Sequence, residues 1–184
     1  ELPNPIDNAH IVTHSNAIFF SICKRYSFAD SEFITFTIAL ADSFLFVLFI
    51  GNSQTSTNDL PAFVSEIAKI SKHGKITYRT IAPSATTLAG LWYGRANPAL
   101  VSGDWDAVVL QQGPSVTPAG RSTLCFYAKE FADAAREHGA KPYLMVVWPR
   151  RGSEFAEVVD AYSAAAAASG ATLLPAGVAW SAAL

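Results

Sequence analysis

The sequence predicts an α/β fold, a three-layer α/β/α sandwich around a parallel sheet of five strands. Three observations predict it. Short apolar runs alternate with helical patterns five times from residue 44 onward, at the spacing of strand–helix crossovers. The first run, Phe44 to Ile50, is apolar on both faces and stops at Gly51, as a strand covered by helices on both sides must. Three of the runs end in polar residues, at the strand ends where open α/β sheets bind ligands.

The elements follow in order. The first strand, 44–50, leads to a helix at about 60–72, whose Phe63, Ile67 and Ile70 mark one face. Asn58 or Asp59 can cap it, Pro61 suits its first turn, and Gly74 follows its end. Ile76 to Ile81 alternates apolar and polar, as a second strand does. Thr86 to Tyr93 reads as a short helix ended by Gly94, and Trp105 to Leu110 as a third strand. Ser122 to His138 is a helix with Tyr127, Phe131 and Ala134 or Ala135 on one face, stopped by Gly139. Tyr143 to Trp148 is a fourth strand ended by Pro149. Ser153 to Ser169 is an alanine-rich helix with Gly170 beyond it. Thr172 to Leu174 is a fifth strand, and another helix begins near Val178. Parallel strands with right-handed crossovers give a flavodoxin-like order of 2-1-3-4-5, which sets the ends of strands 1 and 3 beside the switch point.

Residues 44–184 therefore read as one domain, and residues 1–43 as an N-terminal extension without clean periodicity. Within the extension, Ile18 to Ile22 and Phe33 to Leu40 are apolar and compatible with a helix or a hairpin. Phe33 to Ile50 is also long enough to raise a membrane span, but its second half is the first strand and Asp42 is costly in lipid, so stable membrane insertion is not expected. Phe33 to Ala41 can alternatively be a secretory-signal remnant, although signals begin near a true N-terminus. Secreted, periplasmic and cytoplasmic locations all stay open. Cys23 and Cys125 are far apart, lack metal-ligand spacing, and can pair or stay free. A hydrophobic content of 51% with 15% charge excludes a disordered chain. A net charge of −2 with no basic run argues against a nucleic-acid partner.

The chemistry-bearing residues sit at the strand ends. Strand 1 ends in Gly51-Asn52-Ser53-Gln54-Thr55, strand 2 in Ala82-Pro83-Ser84-Ala85-Thr86-Thr87, and strand 3 in Gln111-Gln112-Gly113-Pro114-Ser115. A parallel sheet brings all three loops to one edge. A serine hydroxyl, backbone N–H groups and side-chain donors then converge, the set that acyl transfer needs for a nucleophile and an oxyanion hole. Rival motifs fail: there is no second glycine of a nucleophile elbow, no Gly-Lys-Ser/Thr phosphate loop, no GxGxxG and no metal-ligand cluster. No metal or cofactor is expected.

Around these residues the sequence resembles the SGNH (GDSL-type) hydrolases, over about residues 44 to 180. "LFIGNSQT" is similar to their first block, which carries the serine, and "WDAVVLQQGPS" to their third. "IAPSATTLAGLW" stands where the second block supplies an oxyanion-hole glycine, and "MVVWP" resembles the fourth-strand segment of bacterial members. The resemblance implies an esterase with Ser53 as nucleophile and oxyanion donors at Ala85 and at Gln112 or Ser115, with Gln111 an alternative. Asn52, Gln54, Gln111 and Trp148 would line the pocket of a small ester or acylated carbohydrate.

The departures are specific. Ala85 stands in place of the glycine, and Ser115 in the place aligned with an asparagine. The family's last block, an Asp and a His three apart, is absent, so the resemblance implies a chain truncated before its general base and nearly inactive alone. Asp7-x-x-His10 has that spacing with His14 beyond, but at the wrong end of the chain. His73 and His138 follow helical patterns, where a cation favours the helix dipole. Two other readings stay open: a non-catalytic domain that binds a carbohydrate, and a flavodoxin-like binder of a phosphate-containing ligand. Trp92, Trp105 and Trp148 are read as core or pocket wall, and Arg150-Arg151 as a solvated loop.

Overall fold

The computed structural model describes residues 9–14, 17–22, 36–39, 44–71, 74–148 and 154–183. Two sheets are present among them. In the first, β1 (Ala9–His14), β2 (Ala17–Ile22) and β3 (Phe36–Ala39) pair antiparallel in that order. Of the two expectations for the apolar stretches of the extension, the strand pairing is thus what 17–22 and 36–39 adopt.

The second sheet is parallel throughout, in the order β5-β4-β6-β7-β8. Its strands are β4 (Leu45–Ile50), β5 (Ile76–Ile81), β6 (Ala107–Leu110), β7 (Lys141–Met145) and β8 (Thr172–Leu174). This is the 2-1-3-4-5 order expected from the sequence. The connecting helices are α1 (Ser53–Ser56), α2 (Leu60–Ile70), α3 (Leu88–Trp92), α4 (Ala96–Val101), α5 (Pro118–Glu137), α6 (Phe155–Ser169) and α7 (Ala176–Ala183).

Strand alternation explains why β4 and β6 have to be apolar on both faces. Leu48, Ile50, Val108, Leu110 and Leu144 join one core with α3, α4, α5 and α6. Val47, Phe49, Ala107, Val109, Tyr143 and Met145 join a second core with α2 and α7. The register sets like against like, with Leu48 beside Val108 and Val108 beside Pro142. Truncating a residue such as Phe131, fully buried on α5 and edge-on to Trp92 at 4.9 Å, costs about 3–5 kcal/mol.

Several local expectations are corrected. On α2 the buried row is Leu60, Val64 and Ala68, whereas Phe63 and Ile70 face solvent at 56% and 68% exposure. A second short helix, α4, follows α3, with Pro98 tolerated in its first turn. Helix α5 starts at Pro118 rather than Ser122, because Thr117 caps it through the Gly120 N–H. Trp105 lies outside β6 and donates its indole N–H to the Ala99 carbonyl at 3.0 Å. Strand β7 covers 141–145, so Trp148 falls in the loop beyond it. Gly74, Gly139 and Gly170 follow their helices with positive φ, as expected. Pro149, Arg150, Arg151, His73 and Cys23 lie outside the described residues. Among the described residues no helix is long and apolar enough to cross a membrane.

Candidate active site

The site is built on the carboxyl ends of β4, β5 and β6. Past β4, Gly51 still donates to the Ile81 carbonyl of β5 at 3.0 Å, and Gln111 past β6 donates to the Ile50 carbonyl at 2.8 Å. The backbone then turns at Asn52. Its side-chain oxygen accepts the Gln54 N–H at 3.0 Å, and its carbonyl accepts the N–H groups of Thr55 and Ser56. This N-cap creates the single turn of α1 and places Ser53 at its first position. Ser53 is half-buried. Among the described residues neither its hydroxyl nor its N–H has a hydrogen-bond partner.

Around Ser53 the polar groups are engaged with one another. The Gln111 side-chain oxygen accepts two hydrogen bonds, from the Asn52 N–H and the Thr55 hydroxyl, both at 2.8 Å. Its amide nitrogen donates to the Gln112 carbonyl and, at 3.4 Å, to the Gln54 side chain. Gln54 in turn reaches the Trp148 carbonyl at 3.4 Å, which ties the loop beyond β7 to the same cluster. A methyl group on Gly51 would stand 2.5 Å from both the Gln111 oxygen and the Thr55 hydroxyl, so only glycine leaves room for that contact.

The β5 loop is tied in by Ser56, whose hydroxyl donates to the Ala82 carbonyl at 3.1 Å, and by Asn52, whose amide reaches the Thr86 carbonyl at 3.4 Å. Ala85 caps this loop with φ +55°, the left-handed region that favours glycine. It is exposed, and its N–H has no partner among the described residues. The resemblance implies a glycine at this position, and Ala85 stands here in a conformation that favours glycine.

The Gln112 side chain points the other way from Gln111. Its oxygen accepts the Leu88 N–H at 2.9 Å, and its nitrogen donates to the Ser115 hydroxyl at 2.9 Å and, more distantly, to the Gly120 carbonyl. Both hydrogens of this amide therefore have acceptors within the protein, and the side chain ties the β5 loop to the loop after β6. Ser115, with φ +58°, donates its hydroxyl to the Gly113 carbonyl at 2.8 Å.

Two further side chains complete the cluster: Thr55, one of the polar residues ending strand 1, and Tyr162, which the sequence did not single out. Thr55 is fully buried against Gln111. Tyr162, on α6, is fully buried and its hydroxyl meets the Gln112 N–H at 3.1 Å and donates to the Gln112 carbonyl. Burial pushes its pKa well above the usual phenol range, against a smaller opposing effect of the Gln112 backbone, so it stays a neutral hydroxyl. A lone aromatic within an alanine run was the available signal. Neither residue carries charge, and the bonded cluster of Asn52, Thr55, Gln111, Gln112, Ser115 and Tyr162 is neutral throughout.

No imidazole approaches Ser53 among the described side chains. His138 ends α5, with its Nδ1 2.9 Å from the Ala134 carbonyl. Helix α5 runs antiparallel to the strands it connects, so His138 sits at the opposite edge of the sheet. Asp7 lies outside the described residues, and of His10 and His14 only the backbone, in β1, is described. No group of three His, Cys, Asp or Glu residues could hold a metal ion among the described residues.

No protein-family model matches the sequence, and no curated protein matches it. Solved structures do match. A protein from Slackia heliotrinireducens described as an SGNH hydrolase is 24% identical with a TM-score of 0.65, over 76% of this chain and 83% of that one. A lipolytic protein of the G-D-S-L family from Desulfitobacterium hafniense is 17% identical with a TM-score of 0.57, over 71% and 76%. The acetylxylan esterase Axe2 from Geobacillus stearothermophilus is 13% identical with a TM-score of 0.58, over 73% and 77%. With the strand order, the three converging loops and these likenesses together, residues 45–183 have the fold of the SGNH hydrolases.

Proposed function

We propose that the chain is an SGNH-type serine hydrolase acting on carboxylic esters, with a small ester or an acylated carbohydrate as substrate. One observation carries the reading. In a cluster whose other polar side chains are hydrogen-bonded, the Ser53 hydroxyl and N–H and the Ala85 N–H are unengaged among the described residues. Ser53 attacks the acyl carbon as its hydroxyl proton passes to an imidazole base. The C–O bond to the alcohol breaks with that proton going to the departing oxygen, and water then hydrolyses the acyl-serine to the acid. The N–H groups of Ser53 and Ala85 receive the oxyanion, and the Ser115 hydroxyl supplies a third donor when it turns from Gly113. Holding Ala85 at φ +55° costs about 1–2 kcal/mol, the kind of local strain that collects at functional sites. Asn52, Gln54 and Trp148 surround the acyl group, with the buried Gln111 behind them. No metal or cofactor takes part in this scheme.

The substrate class leans on the fold neighbours. Axe2 is an acetylxylan esterase, and its catalytic mutants replace a serine and an aspartate. No imidazole stands beside Ser53 among the described residues, so in this reading hydrolysis of p-nitrophenyl acetate is slow and added imidazole accelerates it. Hydrolysis that is fast without imidazole and abolished by Ser53→Ala would move the base onto a histidine of this chain. The second reading, a non-catalytic binding domain, is favoured by there being no imidazole beside Ser53 among the described side chains. It predicts no imidazole effect.

A further inference from the structure

We propose that Gln111 and Gln112 form a two-sided bracket that sets the Ser53 turn against the Ala85 loop, with Tyr162 as its clasp. The inference rests on the ester-hydrolase reading for its purpose and on hydrogen bonds for its geometry. Successive residues leaving a strand point to opposite faces. Gln111 accordingly reaches the β4 loop, and Gln112 reaches the β5 loop and its own. A single oxygen of Gln111 grips Asn52 and Thr55, the residues on either side of Ser53 and Gln54. A single oxygen of Gln112 grips Leu88, three residues beyond Ala85. The Gln112 nitrogen holds Ser115. The nucleophile and the proposed oxyanion donors are thus referred to two adjacent residues of one strand end.

All the amide groups of the bracket are matched. Gln111 has two donors on its oxygen and two acceptors for its nitrogen, and Gln112 has one donor on its oxygen and two acceptors for its nitrogen. Buried amides so satisfied make a rigid element, and a lost partner leaves a costly orphan. The clasp has a topological reason. The β6–β7 ladder ends at Leu110 and Leu144, and Val146 donates instead to Leu174 of β8. The N–H of Gln112, and the second lone pair of a carbonyl that already accepts from the Gln111 amide, would then face a widening gap. The Tyr162 hydroxyl fills it, accepting from one group and donating to the other. These three are positioning residues; none of them touches the reacting atoms.

Residue-resolved amide exchange by NMR on the full chain tests this without needing activity. In Gln111→Met the Asn52 amide exchanges about tenfold faster or more while Leu88 is unchanged. In Gln112→Met the Leu88 amide accelerates and Asn52 is unchanged. Gln112→Glu keeps the accepting oxygen and restores protection at Leu88. If the methionine variants do not fold, Thr55→Val and Tyr162→Phe give the same crossed pattern at smaller amplitude. Equal acceleration at both amides, or none, overturns the bracket. Phosphonate labelling of Ser53 with imidazole present tests the hydrolase reading separately. A wild type that labels lets each methionine variant be scored, and an unchanged labelling rate in both overturns the positioning role. A wild type that never labels, with the crossed exchange intact, supports the bracket as geometry and sinks the hydrolase reading instead.

Discussion

Gly51→Ala is the smallest change that reaches the site through packing alone. The φ of Gly51 is not in the left-handed region, so a methyl group adds no torsional strain there. It adds a collision. The new carbon would stand 2.5 Å from the Gln111 side-chain oxygen, 2.5 Å from the Thr55 hydroxyl and 3.2 Å from the Gln111 Cβ. The first two atoms are hydrogen-bonded to each other at 2.8 Å, and the same oxygen holds the Asn52 N–H. Clearing the methyl breaks two buried hydrogen bonds, about 1 kcal/mol each. Forcing extra volume into a packed site adds about 1–3 kcal/mol. The expected loss is about 3–5 kcal/mol, a large part of the stability of an ordinary domain. Urea unfolding followed by tryptophan fluorescence reads it as a midpoint lower by roughly 2 M. Gly113→Ala is the control, because its added methyl would meet only the Asn52 amide at 4.0 Å. It should cost less than about 0.5 kcal/mol. A Gly51→Ala protein within about 1 kcal/mol of wild type would refute the account of how Gln111 holds the turn.

Other outcomes follow from the same geometry. Tyr162→Phe strands the Gln112 N–H, leaves its carbonyl with the Gln111 amide as donor, and should cost about 1–3 kcal/mol by chemical denaturation. Its folded pKa is raised above the reference 10.0, so the unfolded chain loses this proton first and stability falls as pH rises above about 10. Alkaline unfolding curves should therefore be less steep in pH for Tyr162→Phe than for wild type. Ala85→Gly removes the Cβ that disfavours φ +55° and should be neutral or stabilising by up to about 1 kcal/mol, while Ala85→Val is destabilising by more than that. Phe63→Ser should change stability by less than about 0.5 kcal/mol, and Ala68→Ser by clearly more, because of these two residues of α2 only Ala68 is buried.

The sheet was legible because β4 and β6 are apolar on both faces, which fixes them as central parallel strands between two helical layers. The face of α2 was not. Two stripes with helical spacing run along it, and the larger one, Phe63 and Ile70, is the exposed one. The core side is written in Leu60, Val64 and the small Ala68, and size misled where only packing against β4 and β5 decides. Helix α4 hid behind Pro98, which reads as a breaker but stands in a first turn. At the site, the residues that turn out to matter were visible as polar strand ends, yet their partners were not. Where the amides of Gln111 and Gln112 point depends on strand alternation and on backbone groups of other loops. Tyr162 bonds only to backbone, so its place as an aromatic within an alanine run marks it as unusual without saying what it holds.

The most direct test of the central claim is a fluorophosphonate reaction with the chain, in the presence of imidazole, mapped by mass spectrometry. An activated serine is what such a probe modifies. The account predicts one adduct, on Ser53, formed faster with imidazole and absent from Ser53→Ala. No adduct under any imidazole concentration, or an adduct on another residue with Ser53 unmodified, would contradict it.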